Sequence, residues 1–196
     1  MRSVCAIWKK IVGCLGFVLL LLSCDKFDDR STLVFIGDSL IARWDVENFF
    51  PIYRTSNWGL GGSHIDWIEK QNGVLEGKIV VVLIGTNDVN SLPEKQLESY
   101  SSRYVDAVLG MKADRVILIS ILPRNCKSDI VNINQRIVEL NRLIADKVKD
   151  EKTIIYCNVF SKFEKNGTLN MNLSYDGIHL NQYGYEILSS EIKKYL

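Results

Sequence analysis

Hydrophobic and polar positions along this chain follow two alternating patterns, one typical of buried strands and one of amphipathic helices. Short apolar runs predict five strands, at 32–36, 52–57, 78–84, 114–121 and 153–156. Helical spacing and helix-start residues predict four helices, at 63–70, 92–109, 130–149 and 181–195. Strands therefore alternate with helices from residue 32 onward.

The middle strands are apolar on both faces, as in KIVVVLI at 78–84 and DRVILISI at 114–121. Such strands are typical of a parallel sheet with helices on both sides. The alternation therefore predicts an α/β protein, a three-layer α/β/α sandwich with a central parallel sheet. Sites in this class form at the carboxyl ends of the strands, where we expect the chemistry of this chain.

The first segment of the chain departs from this pattern. Arg2, Lys9 and Lys10 precede a continuous apolar run over 11–22. The run is shorter than the roughly 20 residues that span a hydrocarbon core. Basic residues followed by a short apolar run are typical of a secretory signal peptide, which we predict at 1–23.

The residues that end this run, Leu21-Leu22-Ser23-Cys24, resemble the lipobox of bacterial lipoproteins. The resemblance implies cleavage before Cys24 and lipidation of its thiol. The protein would then be anchored to a membrane of the bacterial cell envelope, with 24–31 as a tether. An uncleaved N-terminal anchor is the alternative, and the membrane face stays open.

The composition is that of an ordinary globular protein, with 47% hydrophobic and 24% charged residues. It excludes a disordered, collagen-like or coiled-coil chain. At about 150 residues per domain, 32–196 is long enough for one domain. The net charge of +1 provides no electrostatic case for a nucleic-acid partner. With two histidines in the chain, a His-rich metal site is not expected.

Two cysteines fall within the predicted domain, Cys126 and Cys157. An oxidising compartment would permit a disulfide between them. Their spacing alone does not show that their Cα atoms come close enough, so free thiols are the favoured interpretation.

Four glycine-containing polar blocks stand where strands end or just before the last helix. GDSL at 37–40 follows the first strand, NWGLGG at 57–62 the second and GTND at 85–88 the third. DGIH at 176–179 precedes the C-terminal helix. Glycines in such turns leave backbone N–H groups free to face a ligand. No GxSxG surrounds Ser39, which argues against the nucleophile elbow of an ordinary α/β-hydrolase.

In this order the four blocks resemble the signature blocks of the SGNH-hydrolase superfamily, also called GDSL esterases and lipases. The resemblance runs from Leu33 to about Tyr185, which is nearly all of the predicted domain. It implies a flavodoxin-like fold, in agreement with the alternation of strands and helices. It also implies a hydrolase that uses no cofactor and no metal.

Position by position, the resemblance implies that Ser39 is the nucleophile and that Asp176 and His179 complete a catalytic triad. It implies an oxyanion hole made by the N–H groups of Ser39 and Gly62 and the side-chain amide of Asn87. The residue types suit this chemistry, because a serine hydroxyl needs a base and histidine can accept its proton near neutral pH. An aspartate three residues earlier can hold the imidazole in the required tautomer.

The remaining polar residues of the blocks are expected to support their turns. Gly62 is preferred to Gly59 in the oxyanion hole because the family places that glycine five residues after the asparagine of its block, here Asn57. Asn57, Asp38 and Asp88 are expected to brace the loops by hydrogen bonds rather than to react.

Three residues near the blocks are candidates for a substrate pocket. Trp58 and Tyr175 could line a sugar- or acyl-binding surface, with ordinary packing as the alternative for both. His64 is expected at a helix cap or at the pocket rim, because the base comes from the last block. Trp44 is expected in the core.

Together these features predict a serine esterase acting on a small-molecule or glycan ester, with O-acetyl groups on carbohydrates as the favoured class. The compact chain and the lack of an evident lipid-binding insertion favour a small acyl group. The first alternative is a lysophospholipase or thioesterase that acts on longer acyl chains. The second is a non-catalytic carbohydrate-binding lipoprotein, although a binding module has no need of a whole triad.

Overall fold

The computed structural model describes residues 32–196, so the signal peptide, Cys24 and tether predicted at 1–31 lie outside the described residues. Its main sheet has five parallel strands in the order β2-β1-β3-β4-β5. These are β1 (Thr32–Gly37), β2 (Arg54–Gly59), β3 (Ile79–Leu83), β4 (Arg115–Ile119) and β5 (Ile154–Cys157). A small antiparallel sheet pairs β6 (Glu164–Lys165) with β7 (Thr168–Leu169).

Helices connect these strands and follow the last of them. The α-helices of the described range are α1 (Ser39–Ala42), α2 (Val46–Phe49), α3 (Asp66–Glu69), α4 (Thr86–Val89), α5 (Leu97–Gly110), α6 (Ile133–Val148), α7 (Phe160–Phe163) and α8 (Gln182–Ile192). Short 3₁₀ turns occur at Glu94–Gln96, Met171–Leu173 and Lys193–Tyr195. Within residues 32–196, no helix combines the length and the apolar character that crossing a membrane would require.

Alternate residues of the inner strands face two separate hydrophobic cores. In β1, Val34 and Ile36 face the core that α5 and α6 cover, whereas Leu33 and Phe35 face the core that α8 covers. All four side chains are buried, and each such burial contributes roughly 1.5–3 kcal/mol. The two cores on opposite faces of one parallel sheet confirm the predicted three-layer α/β/α sandwich.

Helix α6 shows how the periodic pattern produces this packing. The residues that predicted it are all buried: Ile133, Ile137, Leu140, Ile144 and Val148. They recur every three or four residues, so they lie on one face of the helix and pack onto the sheet. The helix begins at Ile133, three residues later than predicted, after a turn that includes Asn132 with a φ of 65°.

The second strand is displaced from its predicted position at 52–57. Ile52 is 73% exposed, and the strand continues through Trp58 and Gly59. Gly59 pairs with Gly37 of β1, so the predicted end of this strand at Asn57 was wrong. As the edge strand of the sheet, β2 is only partly buried and has no apolar run to mark its limits. Pairing with β1 sets those limits instead.

Several helices also differ from the prediction. The helix expected at 63–70 is limited to α3, and α5 begins only at Leu97, after a 3₁₀ turn. The single-turn helices α1, α2, α4 and α7 were not predicted. A helix of four residues is too short to show a 3.6-residue period, so such turns leave no hydrophobic pattern in the sequence.

The two cysteines of the domain are free thiols. Cys157 ends β5 and is buried, whereas Cys126 is partly exposed in the loop after β4. The favoured interpretation of these cysteines is therefore confirmed.

Candidate active site

Ser39 is the first residue of α1 and follows β1 after a sharp turn. Asp38 caps this helix, since its Oδ1 accepts the N–H of Leu40 at 2.9 Å. Gly37 runs so close to β3 that a Cβ at this position would lie 1.8 Å from the carbonyl oxygen of Leu83. Only glycine permits this approach, so the G-D-S sequence sets the Ser39 side chain at the carboxyl edge of the sheet.

His179 and Asp176 come from a tight turn just before α8. Asp176 Oδ1 accepts the N–H of Ile178 at 3.0 Å and that of His179 at 2.8 Å, and Asp176 Oδ2 lies 2.6 Å from His179 Nδ1. Gly177 has a φ of 85°, and a Cβ there would lie 2.1 Å from the carbonyl oxygen of Asn125. The D-G-x-H spacing thus lets one carboxylate hold both the backbone of the turn and the imidazole ring.

The fold brings this turn to the end of β1. Ser39 Oγ lies 2.9 Å from Nε2 of His179. With Asp176 accepting from Nδ1, the imidazole presents an unprotonated Nε2 to the hydroxyl, the tautomer that can take its proton. The predicted serine, histidine and aspartate therefore form one hydrogen-bonded chain.

Hydrogen bonds at the turn keep the carboxyl of Asp176 ionised. Burial acts to raise its pKa, but the bonds from the His179 side chain, the His179 N–H and the Ile178 N–H together lower the pKa to about 2. The carboxylate is therefore charged at neutral pH and can stabilise a protonated imidazole.

Asn57 braces the glycine-rich loop, as predicted. Its side-chain amide donates to the carbonyl oxygens of Ile41 and Trp44 at 2.8 and 3.0 Å, which ties the end of β2 to the segment around α1. Its Oδ1 accepts the N–H of Gly59 at 2.9 Å. Because that N–H is already engaged, Gly59 is a poorer donor to a ligand than Gly62.

The three predicted oxyanion donors lie on loops at the carboxyl edge of the sheet. Gly62 is exposed with a φ of 75°, and neither its N–H nor that of Ser39 donates to another group among residues 32–196. Asn87, in α4, donates one side-chain N–H to the carbonyl oxygen of Ser63 at 2.9 Å. This bond joins the GTND turn to the glycine loop and leaves the second amide N–H of Asn87 for a ligand.

Sequence reasoning missed a buried ion pair that links the loops of the site. Arg124, after β4, is 5% exposed and lies 2.6 Å from the carboxylate of Asp129. Its guanidinium also donates to the carbonyl oxygen of Thr86 at 2.8 Å, while the next residue, Asn125, donates its N–H to the carbonyl oxygen of Gly177. The loop after β4 thus connects the GTND and DGIH turns. Nothing in the sequence around Arg124 indicates a partner as distant as Thr86, 38 residues earlier in the chain.

Asp38 and Asp88 brace their turns, as predicted, and both are buried. Asp88 Oδ1 accepts the N–H of Ile65 at 3.3 Å. Burial, and after it the charge on Asp88, raise the pKa of Asp38 to about 7 against the lowering effects of the Leu40 N–H and Arg124. Within residues 32–196, no three His, Cys, Asp or Glu side chains are grouped so that they could hold a metal ion.

The raised pKa of Asp38 predicts a pH-dependent stability. The folded protein keeps a proton that the unfolded chain loses above its ordinary pKa of 3.8, so Asp38 destabilises the fold increasingly as the pH rises from about 4 to about 7. The free energy of unfolding of the wild type should fall relative to that of Asp38→Asn by a few kcal/mol across this window. Denaturant unfolding at several pH values measures the difference. Asp106→Asn, an exposed site on α5, serves as the control. A difference between wild type and Asp38→Asn that does not vary with pH would contradict the prediction.

The candidate pocket residues lie in different surroundings. Trp58 is half-buried and packs against the core beneath α5 and α6. His64 precedes α3, is half-exposed and places its Nδ1 3.4 Å from Asp88 Oδ1. Tyr175 is 72% exposed beside the DGIH turn. Trp44 is buried in the core, as expected.

An α/β/α sandwich with a hydrogen-bonded serine and histidine at the carboxyl edge of its sheet defines the class of this protein, which is an ester hydrolase. The chain belongs to the GDSL-like lipase/acylhydrolase family, which matches residues 35–187. This match confirms the family resemblance seen in the four sequence blocks.

Two relatives illustrate the similarity of this chain to known proteins. It is 30% identical over 176 residues to N-acylneuraminate cytidylyltransferase of Escherichia coli O18:K1:H7, with 86% of this chain and 41% of that protein covered. It is also 30% identical over 174 residues to platelet-activating factor acetylhydrolase IB subunit alpha1 of Rattus norvegicus, with 82% and 73% covered. The chain thus spans less than half of the cytidylyltransferase but most of the acetylhydrolase subunit.

Solved structures share the fold. A GDSL-like lipase from Bacteroides thetaiotaomicron superposes with a TM-score of 0.72 at 22% identity, with 93% of this chain and 95% of that chain covered. An acetylxylan esterase from Geobacillus stearothermophilus superposes with a TM-score of 0.65 at 17% identity, with 84% and 93% covered. The predicted SGNH-hydrolase fold is therefore confirmed.

Proposed function

We propose that this chain is a serine esterase that removes short O-acyl groups, chiefly O-acetyl groups from carbohydrates. The observation that carries the proposal is the hydrogen-bonded chain of Ser39, His179 and Asp176. The hydroxyl lies 2.9 Å from an imidazole nitrogen, and the carboxylate lies 2.6 Å from the other nitrogen of the same ring. This arrangement of nucleophile, base and orienting acid is suited to nucleophilic acyl transfer.

In the proposed mechanism, His179 Nε2 takes the proton of Ser39 as Oγ attacks the acyl carbon. The N–H groups of Ser39 and Gly62 and the amide of Asn87 stabilise the negative carbonyl oxygen, while Asp176 stabilises the imidazolium. The imidazolium then gives its proton to the departing alkoxide as the ester C–O bond breaks, leaving an acyl-serine. Finally, His179 activates a water molecule that attacks the acyl-serine and releases the carboxylic acid and free Ser39.

The names of two similar proteins support a short acyl group. The rat relative is an acetylhydrolase, and one structural neighbour is an acetylxylan esterase. The second name also supports a carbohydrate as the alcohol part of the ester. Both proteins match more than four-fifths of this chain.

A series of 4-nitrophenyl esters with acetyl, butyryl and octanoyl groups tests the acyl preference. The kcat/KM should be highest for the acetate and fall at least about 10-fold by the octanoate, since a small acyl site excludes added methylenes. A serine-directed fluorophosphonate should abolish turnover and label the peptide that contains Ser39. Rates that rise with chain length would replace this proposal by a lysophospholipase or thioesterase. No turnover by the folded protein would overturn the esterase and favour a carbohydrate-binding lipoprotein.

We further propose that Cys24 carries a lipid that anchors the enzyme in a bacterial cell envelope. The proposal rests on the basic residues, the apolar run over 11–22 and the Ser23-Cys24 pair that ends it. Bacteria that express the full chain should incorporate labelled palmitate into the wild type and into Cys126→Ser, but not into Cys24→Ser. Label retained by Cys24→Ser would contradict the anchor.

A further inference from the structure

A cavity of about 520 Å³ lies beside the hydrogen-bonded chain, between the loop after α1, helix α2 and the start of α8. Its walls adjoin the reacting residues. Arg43 donates its backbone N–H to the carbonyl oxygen of Ser39 at 3.1 Å, and Tyr175 donates its own to the carbonyl oxygen of His179 at 3.0 Å. Leu180, also in the wall, directly follows His179.

The lining places this cavity on the histidine side of the site. Tyr175 and Leu180, the residues on either side of the DGIH turn, line the cavity, although His179 and Asp176 themselves do not. The lining residues include none of the proposed oxyanion donors Ser39, Gly62 and Asn87, nor any residue of the glycine-rich loop. In acyl transfer the carbonyl oxygen points to those donors, whereas the alcohol leaves beside the imidazole that protonates it. The cavity is therefore positioned for the alcohol part of the ester rather than for the acyl group.

The side chains of the cavity combine aromatic rings with planar polar groups. Tyr175 is largely exposed, and Phe49 adds a second ring to the wall. Around them stand the guanidinium of Arg43 and the amide of Gln182. The Arg43 side chain has no hydrogen bond or ion pair within residues 32–196, so its donors are available to a ligand.

The charge of the lining favours a neutral ligand over an anionic one. Arg43 is accompanied by two carboxylates, Asp45 and Glu186, so the lining carries more negative than positive charge. Donors and acceptors are both present, which suits the hydroxyl groups of a neutral sugar. The volume falls within the range of small-molecule sites and is large enough for roughly one or two sugar rings.

We propose that this cavity is the alcohol subsite of the esterase and that it holds the neutral sugar of an O-acetylated carbohydrate, an inference that rests on the proposed function. The apolar face of a sugar ring stacks on Tyr175, and its hydroxyls bond to Arg43 and Gln182. The acetyl group then extends to Ser39 with its carbonyl oxygen toward Gly62 and Asn87.

Two acetyl esters that differ only in their alcohol test the subsite. Methyl tri-O-acetyl-β-D-xylopyranoside has an alcohol that fills the cavity, whereas the ethanol of ethyl acetate is too small to reach its walls. Release of acetate is followed by pH titration, and the quantity compared is the ratio of kcat/KM for the xyloside to kcat/KM for ethyl acetate. This ratio cancels any effect of a substitution on the reacting residues themselves.

Tyr175→Ala should lower the ratio about 10-fold, chiefly through KM, and Tyr175→Phe should restore it because the ring still stacks. Arg43→Gln should lower it by about 5-fold through lost hydrogen bonds. The matched controls are Tyr183→Ala, 68% exposed on α8, and Arg54→Gln, exposed on β2, both outside the lining. Neither control should change the ratio.

The outcomes separate the subsite from the esterase. A ratio in Tyr175→Ala and Arg43→Gln equal to that of the controls would overturn the subsite. Hydrolysis of ethyl acetate but not of the xyloside by the wild type would also overturn the subsite, while the proposal of esterase activity would be retained. If the wild type releases acetate from neither ester, the proposed function fails and the subsite falls with it.

Discussion

Ser39→Ala should lower kcat for 4-nitrophenyl acetate by about 10⁴-fold or more, because without the hydroxyl no acyl-enzyme can form. The remaining rate would come from the oxyanion donors and from binding. The fold should be little affected. Asp38, and not Ser39, caps helix α1 with its side chain. The Ser39 hydroxyl bonds only to His179 among the described residues.

Initial rates at saturating ester, together with thermal unfolding of each variant, test this prediction. Ser102→Ala removes an exposed hydroxyl on α5, far along the chain from the site, and should match the wild type in both measurements. A folded Ser39→Ala protein that retains more than a few per cent of wild-type turnover would show that another group is the nucleophile.

Asp176→Asn should lower kcat by about 10³- to 10⁴-fold. An asparagine in the same position can still accept the backbone N–H groups of Ile178 and His179 through its Oδ1, so the turn should persist. It places an NH₂ group where Oδ2 now lies 2.6 Å from His179 Nδ1. A ring facing that donor carries its proton on Nε2 instead and cannot take the proton of Ser39. The substitution therefore reverses the tautomer with little change in shape.

Steady-state kinetics distinguish this electronic effect from a loss of structure. The decrease should appear in kcat, with KM changed only a few-fold, because the carboxylate acts through His179 and not on the ester. Asp150→Asn, an exposed carboxyl after α6, provides the matched control. A kcat for Asp176→Asn within about 10-fold of the wild type would exclude the orienting role of this carboxylate.

The extent of burial decided which elements of this fold could be predicted from the hydrophobic pattern. The strand β3 was predicted because it is buried along most of its length, and the helix α6 because one face of it is buried from end to end. In both elements the buried positions are apolar residues in a regular pattern. The predicted position of the edge strand β2 was two residues too early. A strand with a single neighbour is only partly buried, so no apolar run marks its ends. The one-turn helix α1, which presents Ser39, was not predicted, since it is held by a cap and by neighbouring loops.

In the candidate site, too, some features follow from the sequence and others only from the tertiary structure. The sequence by itself determined the fold class and the family, and it predicted the candidate residues Ser39, Gly62, Asn87, Asp176 and His179. It could do so because glycine turns at strand ends and before a helix have strict local requirements, which the four short blocks meet. Only the tertiary structure decided that Ser39 and His179 meet at 2.9 Å, although they are 140 residues apart.

Tertiary structure alone also decided what surrounds these residues. The Arg124 guanidinium contacts both Asp129 and Thr86 only because the loops pack together. The same packing forms the cavity that Arg43 and Tyr175 line. The physical reason is that contacts between distant loops depend on how the sheet and helices pack, and packing is set by many weak contacts that no single segment encodes.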